Sequence, residues 1–188
     1  SSPTISNCSV LRNTSVFGGG GLACTKFSEV VITQCDINEN VSSYDGGGLY
    51  VTAQCTVTLI GGNILRNQGA HDGGGVYVSG GTIDASEVHI AENEAGSHGG
   101  GISLGAQSSL SGCTITLNTA QRGGGVFVDQ DGIATITGCS ITAGMAQMGG
   151  GIYIDQDSAP VLTNCDVSDN FSSGAGGGIY CGNNSWPE

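Results

Sequence analysis

A Gly-Gly-Gly triplet followed at once by an aliphatic residue recurs seven times along the 188 residues. The aliphatic residues are Leu22, Leu49, Val76, Ile102, Val126, Ile152 and Ile179, so successive copies stand 27, 27, 26, 24, 26 and 27 residues apart. Two further landmarks keep step. Five or six residues before each triplet comes Asn13, Asn40, Asn67, Asn93, Asn118, then Gly144, then Asn170. Five residues before that comes Cys8, Cys35, Gly62, Val88, Cys113, Cys139 and Cys165. A unit of this length cannot bury an apolar face alone, so its copies must stack on one another.

The period inside each copy is two. Alternating runs such as Val30-Val-Ile32, Cys35-Asp-Ile37 and Val76-Tyr-Val78 are rich in β-branched residues. They read as strands with one buried face. Strands stacked on their own copies one repeat later run parallel, about 4.8 Å apart. The expected fold is therefore all-β: a right-handed parallel β-helix of seven coils, about 26 residues each, forming a single domain over residues 1–188. Seven coils make a prism about 30 Å long. Three inward columns are expected. They are Ile5, Ile32, Leu59, Ala85, Leu110, Ile136, Leu162; Val10, Ile37, Ile64, Ile90, Ile115, Ile141, Val167; and Cys24, Val51, Val78, Leu104, Val128, Ile154, Cys181. The Asn column is expected to form a ladder, each amide bonding the turn of a neighbouring coil. The triplets suit a bend needing positive φ or close backbone approach. A phosphate-binding loop would need a following helix and usually a Lys, and neither follows these triplets.

Four Lys or Arg face sixteen Asp or Glu, a net charge of −12. That balance disfavours nucleic acid and anionic membranes as partners. It favours an extracellular or cell-surface setting, where calcium is plentiful. No apolar run has the length of a membrane span. The chain opens at Ser1 in mid-pattern, as a processed or trimmed product would. Eight cysteines suit an oxidising compartment. Five of them share one inward column, where free thiols acting as small apolar fillers are expected over bridges.

The Gly-Gly-Gly-aliphatic-Tyr and Asn landmarks resemble those of secreted bacterial β-helix repeat proteins. They are also similar to the repeats of chlamydial polymorphic outer-membrane proteins, which carry a Gly-Gly-Ala-Ile box and a Phe-x-x-Asn box. Leu11-Arg-Asn13, Asn38-Glu-Asn40 and Leu65-Arg-Asn67 lack the Phe. The resemblance implies cell-surface passenger domains, adhesins and, in some cases, polysaccharide-degrading enzymes. Fold alone does not choose among these.

Several clusters are candidates for chemistry. Asp129, Asp131, Asp155 and Asp157 fall on neighbouring coils after the same strand. They could ligate calcium through oxygen, or simply form a solvated acidic turn. His71-Asp72, Ser97-His98 and Gln121-Arg122 stack just before three successive triplets. Tyr50, Tyr77, Phe127, Tyr153 and Tyr180 form an outward row, interrupted by Ala23 and Ser103. Such a row either stacks on surface glycans or braces its own coils. The Thr/Ser/Val face that includes Thr4, Val31, Ser109, Thr135 and Val161 resembles ice-binding surfaces, broken by Ile60 and Asp84. No acid/base set for a polysaccharide lyase or hydrolase is assigned, and no catalytic residue is named. The expected function is a non-enzymatic structural or adhesive protein; polysaccharide binding or degradation is the alternative. End-to-end stacking of copies is expected through Cys8, Arg12, Cys24, Cys165, Asp169 and Cys181, which would continue the columns from the last coil into the first.

Overall fold

The computed structural model describes residues 2–105 and 107–187. Ser1 and Glu188, named above as bounds of the chain, lie outside the described residues, as does Ala106. All regular structure among the described residues is β, and every registered strand pair is parallel. The strand that follows each triplet builds a seven-stranded sheet, from Leu22–Cys24 to Ile179–Cys181. A twelve-stranded sheet carries the two strands either side of the Cys column. In two coils those strands run together as Glu29–Asn38 and Thr56–Leu65. Shorter pairings after the Asn column close the third side.

Three columns of positive φ bend every coil. The first column is Asn7, Gln34, Gly61, Glu87, Gly112, Gly138 and Asn164. The second is Arg12, Glu39, Arg66, Glu92, Leu117, Ala143 and Asp169, all between 51° and 57°. The third is the first glycine of each triplet, between 61° and 65°. Positive φ is thus required of only one glycine in three. The other two are small because neighbouring coils approach closely: a Cβ on Gly47 would lie 2.4 Å from the Gly74 carbonyl, and one on Gly48 would lie 2.6 Å from that of Gly75.

The expected columns register as read. Ile5 pairs with Ile32, Ile32 with Leu59, Leu59 with Ala85, Ala85 with Leu110, Leu110 with Ile136 and Ile136 with Leu162. Ile32, Ile37, Leu49, Val51, Ile83, Ile90, Ile102 and Ile115 are fully shielded from solvent. Each such side chain contributes about 1.5–3 kcal/mol on burial. Between the core and the third side runs the Asn ladder. Asn93 Oδ1 accepts from the backbone N of Asn67 at 2.9 Å and from Asn67 Nδ2 at 3.0 Å. Asn93 Nδ2 donates to the Ile64 carbonyl at 2.9 Å and to Asn118 Oδ1 at 3.0 Å. The same arrangement runs through Asn13, Asn40 and Asn67. All eight cysteines are free.

Candidate functional site

The left-handed corner at each triplet folds the preceding residue back toward the strand that follows. Side chains just before the triplets therefore lean over the outward row on the next coil. A Cβ at Gly18 would lie 3.1 Å from the Tyr50 ring. His98 stacks on Phe127 with centroids 4.5 Å apart, and the Arg122 guanidinium lies 5.6 Å from the centroid of Tyr153.

The rings also stack on each other. Tyr50–Tyr77, Phe127–Tyr153 and Tyr153–Tyr180 are separated by 5.6, 5.3 and 4.8 Å, with interplanar angles of 16–17°. The sequence reading placed the row outward. The corner column covers its middle, leaving Phe127 3% and Tyr153 5% exposed. Tyr50, Tyr77 and Tyr180 are half-buried. Burial pushes Tyr77 up to about 12 and raises Tyr50 and Tyr153 as well. Ser103 carries no ring, and the stacking resumes with His98 on Phe127.

Of the polar corner, the structure brings Asp72 and His98 together. Asp72 Oδ1 lies 2.8 Å from His98 Nδ1 and accepts from the His98 backbone N at 3.1 Å. Asp45 Oδ1 accepts the Asp72 backbone N in the same way at 3.2 Å. These carboxylates therefore cap backbone donors of the next coil. Burial raises Asp45 above the usual carboxylate range. His71 turns to Tyr44 instead, with centroids 4.7 Å apart.

The four aspartates divide into two stacked pairs. Asp129 and Asp155 are half-buried at the ends of their strands, and each accepts the backbone N of the following Gln at 2.9 Å. Asp129 is raised, first by burial and then by the like charge of Asp155. Asp131 and Asp157 occupy left-handed turn positions, φ 60° and 59°, and are exposed. Among the described residues no three His, Cys, Asp or Glu side chains converge on a point that could hold a metal. Calcium at Asp129, Asp131, Asp155 and Asp157 is thus a proposal resting on the stacked pairs.

The residues expected at a junction between copies lie on the two end coils. Cys8, Asp169 and Cys181 are exposed, and Cys165 is half-buried. Arg12 Nε donates to Glu39 at 2.7 Å, and the alternation continues through Arg66 and Glu92 at 3.6 and 3.7 Å. The hydrogen bond from Arg12 holds the Glu39 carboxyl below its ordinary range. Cys24 is buried, and burial pushes its thiol up to about 11. No described helix is long and apolar enough to cross a membrane.

Sequence reasoning did not find the non-glycine corners. Their one signal is faint: Asn7, Asn164 and Asp169 are among the residue types that tolerate left-handed backbone, whereas Arg12, Leu117 and Ala143 are not. Nor did it find a recess over the fifth coil, where the chain from Leu104 to Leu110 is two residues shorter than from Val128 to Ile136.

No curated protein and no solved structure matched the chain. The model of one family, described as the right handed beta helix region, matches residues 1–120 and again 74–187. Together with the parallel coils and their registered columns, this match shows that the chain belongs to the right-handed β-helix family.

Proposed function

We propose that this chain is a non-enzymatic structural or adhesive module, extracellular or at the cell surface, that associates end to end. One observation carries the reading. The side chains with the most chemical capacity are engaged from coil to coil: Asp72 with His98, Arg122 with Tyr153, Arg12 with Glu39, and the rings with one another. Groups committed in this way hold coils in register. They are not left pointing at a shared substrate position, as acid/base pairs on polysaccharide must.

The two end coils support association. Ile5, Val10 and Leu22 at one end and Leu162 and Val167 at the other are only half-buried, and Ile179 is 41% exposed. Their column mates Ile32, Ile37, Leu49 and Ile152 are fully buried. A further coil of the same kind would cover these surfaces, whichever molecule supplies it. A second copy would bring Cys165 to Cys8, Cys181 to Cys24 and Asp169 to Arg12, about 4.8 Å apart in each column. Backbone edges and apolar coil faces would supply most of the attraction. The exposed charge pair adds about 1 kcal/mol or less and selects register. Such a contact does not close on itself, so it propagates as a filament.

Electron microscopy and sedimentation of the purified chain over a range of concentrations test this. Filaments one coil-stack wide are expected, weakened by Arg12→Asp and restored by combining Arg12→Asp with Asp169→Arg. A monodisperse monomer at every concentration would overturn end-to-end association.

A further inference from the structure

Three thiols follow one another in a single inward column: Cys113, Cys139 and Cys165, on the fifth, sixth and seventh coils. The strands on both sides of the column are in register. Ser111 pairs with Thr137 and Thr137 with Thr163; Thr114 pairs with Ser140 and Ser140 with Asp166. The Ser140 backbone N donates to the Cys113 carbonyl and the Asp166 backbone N to the Cys139 carbonyl, both at 2.9 Å. The cysteines are therefore successive rungs, about 4.8 Å apart. That lies inside the Cα separation of about 4.4–6.8 Å over which a disulfide closes.

The three differ in access. Cys113 and Cys139 are each 1% exposed, whereas Cys165 is half-buried. The Cys165 thiol bonds the Ile136 carbonyl of the sixth coil at 3.3 Å, so it leans toward the rung of Cys139. They differ in acidity as well. Hydrogen bonding with Cys139 lowers the Cys113 thiol, against the effect of burial, and the same contact raises Cys139. Cys113 is thus the member of that pair richer in thiolate, the attacking form. Other cysteines lack this sequence of neighbours. Cys35 Sγ accepts the Cys8 backbone N at 3.4 Å, but the next rungs are Gly62 and Val88. Cys181 is registered with Ile154 and Cys24 with Val51.

We propose that Cys165, Cys139 and Cys113 form a thiol relay, which takes oxidation by a small hydroperoxide at Cys165 and passes it inward to a disulfide between Cys113 and Cys139. In the first step the Cys165 sulfur bonds the terminal peroxide oxygen as the O–O bond breaks. The alcohol leaves with the thiol proton, and Cys165 is oxidised to a sulfenic acid. The Cys139 sulfur then attacks Cys165. An S–S bond forms, the S–O bond breaks, and hydroxide departs as water with the Cys139 proton. Finally Cys113 attacks Cys139 and expels Cys165, which takes up the Cys113 proton. The entering, central and leaving sulfurs of that exchange come from three consecutive rungs, so displacement is in line along the column. The sum is two thiols and one hydroperoxide giving a disulfide, an alcohol and water. The product cross-links two coils where both cysteines are shielded from reductants, and Cys165 is restored. The relay runs within one chain and does not rest on end-to-end association.

The experiment treats the reduced full chain with hydrogen peroxide, quenches aliquots with N-ethylmaleimide or dimedone, and maps disulfides and adducts by non-reducing peptide mass spectrometry. A Cys139–Cys165 disulfide is expected first, followed by Cys113–Cys139 with Cys165 again open to alkylation. Cys181, with no thiol on the rung beside it, should persist as the dimedone adduct. Cys113→Val should halt the sequence at Cys139–Cys165, and Cys139→Val should leave Cys165 as a sulfenic acid. Val88, 1% exposed, already occupies this column, so valine fits there. Cys165→Ser should slow formation of Cys113–Cys139 at least about tenfold, because the inner thiols are then reached only through local opening. A Cys165 that stays a sulfenic acid or unreacted in the parent, a Cys113–Cys139 disulfide that forms as fast in Cys165→Ser, or a Cys165 bridged to Cys8 of a second copy in place of Cys139 would each overturn the relay.

Discussion

Replacing Asn93 tests whether the ladder is structural in the way its geometry implies. The side chain is 1% exposed and serves both neighbouring coils. Asn93→Ala takes the acceptor from the Asn67 backbone N–H and the Asn67 amide, and the side-chain donor from the Ile64 carbonyl. Asn118 Oδ1 keeps the backbone N of residue 93 as a donor at 2.9 Å. Each buried polar group left without a partner costs about 1–3 kcal/mol. Water entering the space would satisfy part of the loss, so a destabilisation of about 3–5 kcal/mol is expected. That is a large share of the roughly 5–15 kcal/mol that holds a domain folded. Asn93→Asp is more informative. It keeps the acceptor but turns a carboxylate oxygen toward the Ile64 carbonyl and Asn118 Oδ1. Burial and that repulsion raise the folded-state pKa of the new carboxyl above its unfolded value. The penalty is then fully present above the folded pKa and is relieved as pH falls through it, because the protonated acid donates again. Urea denaturation followed by far-ultraviolet circular dichroism, from pH 4 to 8, measures both variants. Asn93→Asp should become less destabilised relative to the parent as pH falls. An Asn93→Ala cost below about 0.5 kcal/mol, the scale of ordinary surface changes, or an Asn93→Asp deficit that does not vary with pH, would refute the reasoning.

Gly144 occupies the Asn column, so the repeat pattern alone suggests that Gly144→Asn would complete the ladder. Its Cβ would lie 2.3 Å from the Gly150 carbonyl, so a lower melting temperature is expected instead. Ala143, at φ 51°, should respond oppositely. Ala143→Gly relieves left-handed strain of about 1–2 kcal/mol and loses part of that to unfolded-state entropy, leaving a small gain in melting temperature. Asp129→Asn should stabilise the chain by less than about 1 kcal/mol at neutral pH, because the ionised form is the one disfavoured by burial. The gain is present above the raised folded pKa of Asp129 and vanishes below its unfolded value near 4. If calcium binds at the stacked pairs, millimolar calcium raises the melting temperature of the parent and not of Asp129→Asn; equal curves with and without calcium would exclude the site.

The coil-to-coil register was legible because it repeats. A column such as Ile32, Leu59, Ala85 and Leu110 is visible as a constant phase along the sequence, and a one-residue slip would turn its members to solvent. The corners were legible only where glycine marks them. Arg12, Glu39, Arg66 and Glu92 sit in left-handed backbone that their side chains do not favour, held there by the flanking strands and the ladder. The outward phase of the aromatic row was readable, but its partial burial was not. Burial follows from the angle at Gly99 and Gly123, which swings His98 and Arg122 over the rings on the next coil. The Asp72–His98 contact has the same origin: two residues one coil apart meet because the corner places them in one column.

Under the proposed function these side chains stabilise the stack and perform no turnover. The direct measurement is release of reducing and unsaturated ends from a panel of neutral and acidic polysaccharides, by the parent chain and by Asp72→Ala, His98→Ala and Arg122→Ala, with a melting curve for each. No release above buffer is expected from any of them, with lower melting temperatures for the three variants. Release by the parent that disappears in His98→Ala or Asp72→Ala, while the melting temperature holds, would contradict it.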